Sequence, residues 1–90
     1  MSELAHGLLL QEQGRLEEAE ACFYGVLARD PDNDFVHARL ALCQMHQEGK
    51  KRVALASIEA AIRLRADEPF YLALRSLILS DLHRGKEALQ

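Results

Sequence analysis

The sequence predicts an all-α chain built as a stack of antiparallel helix hairpins, about two and a half of them. Three observations point there. Small residues recur at a fixed interval in two ladders, Gly7, Ala41 and Ser76 in one and Ala19, Ala54 and Ala88 in the other. The steps are 34 and 35 residues in the first ladder and 35 and 34 in the second. A period of that size marks supersecondary units that bury their apolar faces only against copies of themselves. Second, Leu and Ala dominate an apolar fraction of 49% that holds no Trp, which favours packed helices over a sheet core. Third, apolar residues recur at helical spacing between breakers such as Gly14, Asp30-Pro31 and Gly49.

The first helix is expected over about Ser2 to Gln13, ending at Gly14, which is free to take the left-handed turn. The second, about Leu16 to Arg29, carries Glu17, Glu18 and Glu20 near its start, where the helix dipole favours negative charge. It ends before Pro31 because the residue preceding a proline is pushed out of the helical region. Asp32, Asn33 and Asp34 offer side-chain oxygens to cap the third helix, about Asp34 to Gln47. Lys50, Lys51 and Arg52 open the fourth, about Lys50 to Arg65, with charge of the sign its dipole disfavours. Burial of the stripe Val53, Ala54, Ile58, Ala61, Ile62 and Ala66 is expected to hold it instead. The fifth, about Pro69 to Leu82, begins with a proline where the missing N–H does no harm. A sixth is expected to begin near Gly85 and to stop at Gln90. The chain thus reads as one domain over residues 1–90, with repeats at about 1–33 and 34–68 and a partial one at about 69–90.

A formal net charge of −3 gives no electrostatic reason to expect nucleic acid or an anionic membrane as the main partner. The apolar run Leu8, Leu9, Leu10 is too short for a signal sequence or a membrane span, so a cytoplasmic location is expected. Cys22 and Cys43, both inside expected helices, read as small buried hydrophobes rather than as a disulfide.

Chemistry finds little to stand on. Asp30, Asp32 and Asp34 alternate like the first ligands of a calcium loop, but the sixth and twelfth positions hold Phe35 and Ala41 instead of Gly and Glu. Cys43 and His46 are three apart on one helix and His37 lies two turns earlier, yet no paired short spacing supplies the three ligands zinc requires. No nucleophile lies beside a plausible base in sequence, and Ser2, Ser57, Ser76 and Ser80 have no glycine-rich turn around them. Neither a catalytic residue, a metal nor a cofactor is expected.

Taken together these residues resemble the tetratricopeptide repeat, a 34-residue pair of antiparallel helices. In the first unit Gly7 and Leu10 fit its first-helix pattern, and Ala19, Phe23 and Pro31 fit the second part, while Glu3 and His6 depart from it. In the second unit Leu40, Ala41, Ala54 and Ile58 fit, whereas His37, Gln44 and Ala66 do not. In the third, Leu72, Ser76, Leu79 and Ala88 fit and Arg75 does not. The resemblance covers nearly the whole chain and implies a right-handed α-solenoid in which a small residue sits wherever two helices of a unit cross.

The first helix of each unit also carries an apolar stripe beyond what its own hairpin needs. Phe35, Ala38, Leu42 and Met45 recur at spacings of 3, 4 and 3; Phe70, Ala73 and Leu77 repeat this on the fifth helix, and Leu4 and Leu8 on the first. By the resemblance these helices line a concave groove, so these nine residues are the expected peptide-binding groove. The expected function is a scaffold or adaptor that binds a helix or extended peptide of a partner protein in that groove. The alternative is self-association through Leu72, Leu79, Leu82 and Leu89 at the end of the stack.

Overall fold

The computed structural model describes residues 2–88, with side chains through residue 84. Those residues form five α-helices and no strand: α1 (Glu3–Glu12), α2 (Leu16–Arg29), α3 (Asp34–Met45), α4 (Lys51–Leu64) and α5 (Pro69–Ala88). Side chains cap two of them as helix termini require: Ser2 accepts from the Ala5 N–H and Asn33 from the Val36 N–H. The expected sixth helix does not separate. α5 runs unbroken past Gly85 to Ala88, because a glycine inside a helix costs only about 1 kcal/mol relative to alanine and no proline follows to force a stop.

The repeat is visible in the backbone itself. α2 and α4 are each 14 residues long and start 35 residues apart, at Leu16 and Lys51. α3 and α5 begin at Asp34 and Pro69, again 35 apart. Gly14 and Gly49 occupy equivalent turns and share the same left-handed φ of 79°, a conformation glycine adopts without steric cost. The residues that end α2 and α4, Asp30 (φ −139°, ψ 72°) and Arg65 (φ −149°, ψ 84°), leave the helix in the same way. Ala66 in place of a proline therefore does not change that turn.

Each helix packs on its neighbours in sequence, and α1 also meets α3. Two cores result. Leu10, Ala19, Phe23, Val36, Leu40 and Cys43 join α1, α2 and α3. Ala38, Ala41, Met45, Ala54, Ile58, Ala61, Tyr71, Leu74 and Ile78 join α3, α4 and α5. α3 supplies both, and accordingly it is buried nearly all round.

The ladders of small residues mark close approaches where a neighbour is present. A Cβ at Gly7 would lie 2.8 Å from Cε1 of Phe23 and 3.0 Å from Cβ of Cys22, so α1 rests directly on α2. Ala19, Ala41 and Ala54 are fully buried. Ser76 is exposed, since among the described residues no helix covers that face of α5. The stripe expected on the fourth helix narrows: Ala54, Ile58 and Ala61 are buried and Ile62 half-buried, whereas Val53 is exposed and Ala66, also exposed, lies beyond the end of α4. Among the described residues no helix is long and apolar enough to cross a membrane.

Candidate functional site

A cleft of about 500 Å³ opens between α1 and α3. Leu8, Gln11 and Glu12 of α1 and Leu16 at the start of α2 form one wall; Phe35, Arg39, Leu42 and His46 form the other. The second set recurs at intervals of 4, 3 and 4, so it is one continuous face of α3 and its C-cap.

That face is the expected groove stripe turned by one residue at two of its four positions. Phe35 and Leu42 lie where the sequence placed them, but Ala38 and Met45 are only 1% and 6% exposed and belong to the α3–α4–α5 core. Both are corrections to the groove. Their reason is geometric: α3 is held between two hairpins, so the side of the stripe nearer α4 is covered, and Arg39 and His46, one residue further on, face α1 instead. On α1, Leu4 and Leu8 are both half-buried against the first core, and of the two only Leu8 also lines the cleft. On α5, Phe70 and Leu77 are 51% and 52% exposed and Ala73 is exposed as well. These three do not join the cleft between α1 and α3.

Of the residues assigned to self-association, Leu72 and Leu79 are exposed, and Leu82 is half-buried against the second core. Leu89 lies outside the described residues. Leu79 and Leu82 line a smaller cleft of about 300 Å³ with Leu55, Arg52 and His83.

A polar cluster that the sequence reading missed ties α2, α3 and α4 together. Gln44 is wholly buried. Its Nε2 donates to Glu20 Oε2 at 3.0 Å and to the Tyr24 hydroxyl at 2.9 Å, and its Oε1 accepts from the Ser57 hydroxyl at 2.6 Å. Glu20 also accepts from Gln47 at 3.3 Å and pairs with Lys50 at 2.7 Å. Burial pushes the Glu20 carboxyl up, but hydrogen bonds from Lys50, Gln44 and Gln47 and the charge of Lys50 reverse this, leaving it below its ordinary value. The signal was present in sequence: Gln44 sits three residues after Ala41 and four after Leu40, on the packed face of α3, and a polar residue there must bring its own partners.

The other candidates for chemistry are absorbed by local structure. Asn33 bonds Asp30 at 3.1 Å, and Asp34 accepts from the Tyr71 hydroxyl at 2.6 Å. His37 donates from Nε2 to the Pro31 carbonyl at 2.8 Å. Cys43 is buried, and desolvation, with the charge of Glu20 adding to it, pushes its thiol up to about 11. Cys22 is half-buried with its Sγ 3.9 Å from His6 Nδ1, at the edge of a broad, shallow depression bounded by the Glu3–Arg29 ion pair. Among the described residues no group of three or more His, Cys, Asp or Glu side chains is placed to hold a metal ion.

Compared with known proteins, the chain matches no protein-family model and no curated sequence.

Proposed function

We propose that this chain is a protein-interaction module that receives a helix or extended peptide of a partner in the cleft between α1 and α3. One observation carries the reading. Leu8, Leu16, Phe35 and Leu42 converge on an open cleft; Leu8 and Leu16 rest partly on the first core and Leu42 on the second, yet each also lines the cleft, and Phe35 is exposed there. Apolar side chains gathered in a concavity of a few hundred cubic ångströms, with a few polar groups among them, are what a bound segment needs. The 35-residue recurrence of helices and turns supports the kinship with tetratricopeptide repeats, and the right-handed solenoid that kinship implies belongs to the same proposal. No residue is assigned a chemical step, and neither nucleic acid nor a membrane is proposed as partner.

The test is selection from a random peptide library displayed on phage, with the wild-type chain and Leu42→Lys as parallel baits. The wild type should enrich a consensus, and Leu42→Lys, which puts a charge on the apolar wall at a half-buried site, should enrich none while keeping its helical circular dichroism. Equal enrichment by both baits would remove the cleft from the reading.

The second reading is self-association, favoured by exposed Leu72 and Leu79 and by the apolar cleft of Leu55, Leu79 and Leu82. It predicts a mass by light scattering that rises with concentration and returns to that of a monomer in Leu79→Lys.

A further inference from the structure

We infer that the segment bound between α1 and α3 presents one acidic side chain among apolar ones, and that its carboxylate pairs with Arg39. This rests on the peptide-binding reading and specifies the chemistry of its ligand.

Arg39 is the anomaly of the cleft. It projects from α3 toward α1, half-buried, with its guanidinium carbon 5.9 Å from the centroid of the Phe35 ring. Its Nε is buried and has no hydrogen-bond partner. Among the described residues no carboxylate pairs with it, although the chain carries 14 acidic residues against 11 basic ones. Arg15, Arg29 and Arg65 all have acidic partners, Arg52, Arg63 and Arg84 are exposed to solvent, and half-buried Arg75 has no acidic partner among the described residues but no buried unpartnered nitrogen either. Arg39 alone combines a missing carboxylate with a sealed Nε and apolar walls. Gln11 holds the base of Arg39 in place, its Nε2 donating to the Arg39 backbone carbonyl at 3.1 Å; its buried Oε1 is an acceptor and has no part in binding an acid.

A neutral apolar side chain would fit those walls without leaving a donor unsatisfied. A guanidinium held there is complementary to a carboxylate, whose two oxygens match its planar fork and whose charge is strengthened by the low local dielectric. Glu12 sits on the opposite wall without pairing with Arg39. It sets a limit, since a second acid on the ligand would meet it, so the fitting segment has a single acid flanked by apolar residues rather than an acidic run. A free C-terminal carboxylate fits less well, because Arg39 is the sole lysine, arginine or asparagine lining the cleft.

The same phage selection, extended to Arg39→Gln and Arg39→Glu baits, tests this. Wild type should enrich peptides with one Asp or Glu between bulky apolar residues. In fluorescence polarisation with the best such synthetic peptide, Arg39→Gln should weaken binding about 10-fold or more, as truncating one partner of a buried charge pair does. Replacing the peptide's acid by its amide should weaken wild-type binding equally, and the two changes together should add nothing further. Arg39→Glu should select a basic residue at that place. Arg39→Met, which keeps the packed volume and removes the orphaned donor, should melt no lower than wild type and serves as the second variant should Arg39→Gln lose its helicity. A consensus without an acid, or undiminished binding by a folded Arg39 variant, overturns the pairing and leaves the cleft reading in place. Failure of the wild type to enrich any peptide overturns both.

Discussion

α3 and α5 stand at equivalent places, 35 residues apart, and meet opposite surroundings. Val36 and Cys43 correspond to Tyr71 and Ile78, and all four are buried against the preceding hairpin. The other side differs. Ala38, Ala41 and Met45 are covered by α4, while their counterparts Ala73, Ser76 and Ser80 are exposed. The seam behind each helix differs as well: Glu20, Gln44 and Gln47 form a hydrogen-bonded polar cluster, and the positions 35 residues on hold Leu55, Leu79 and Leu82 around an open apolar cleft. The same register can therefore be filled by charge or by hydrocarbon, provided each filling is satisfied in its own way. The polar version is closed by partners on three helices; the apolar one is left partly uncovered by the described residues.

The sharpest way to break this comparison is to place a carboxylate on the corresponding pair. Met45→Glu should cost about 4 kcal/mol or more in urea denaturation, because it buries an unpaired charge, while Ser80→Glu should stay within about 0.5 kcal/mol of wild type. Similar costs at both sites would mean that the two helices are covered alike.

The seams come next. Gln44→Leu leaves Glu20, Tyr24 and Ser57 each short of a bond and should cost about 1–3 kcal/mol. Leu79→Gln on the exposed seam should change stability by about 0.5 kcal/mol or less. A neutral Gln44→Leu would show that the cluster is dispensable polarity.

Titration separates the two regions more finely. Burial, the hydrogen bond to Asp34 and that residue's charge push the Tyr71 hydroxyl up to about 12 from 10.0. Its folded value lies above its unfolded one, so its contribution is complete below pH 10 and declines between about 10 and 12 as the unfolded chain ionises first. Tyr71→Phe should flatten that alkaline limb at a cost of about 1 kcal/mol at neutral pH, the usual net worth of one hydrogen bond. Glu20 has the opposite sign. Its folded value lies below 4.5, so its contribution is present above that pH and is lost as pH falls further, and Glu20→Gln should flatten the acid limb. Denaturant midpoints measured across pH check both.

Periodicity made the helices and turns readable in the sequence, because Gly14, Gly49 and Pro31 mark where the backbone must bend and the Ala and Leu spacing marks what it buries. α2 falls on the expected residues, Leu16 to Arg29. The site was only partly readable. A stripe at helical spacing names a face to within about 100°, the turn between successive helical residues. That margin separates Ala38 and Met45 in the core from Arg39 and His46 in the cleft. Which of the two faced α1 depended on how the hairpins pack, and that is a property of several helices at once. The continuity of α5 through Gly85 was hidden for a related reason: a lone glycine marks a turn only where a neighbouring helix draws the chain back.

The sharing of α3 by both cores has a mechanical consequence. Separating the chain between α2 and α3 would strip Val36, Leu40 and Cys43 from the first core, and separating it after α3 would strip Ala38, Ala41 and Met45 from the second. The α1–α2 hairpin has no complete core without α3, and α4 and α5 have none without it either, so α3 couples the two halves of the chain. The same helix forms a wall of the proposed binding cleft. A ligand that grips α3 there should therefore stabilise both cores, an effect read as slower amide exchange in helices it never touches.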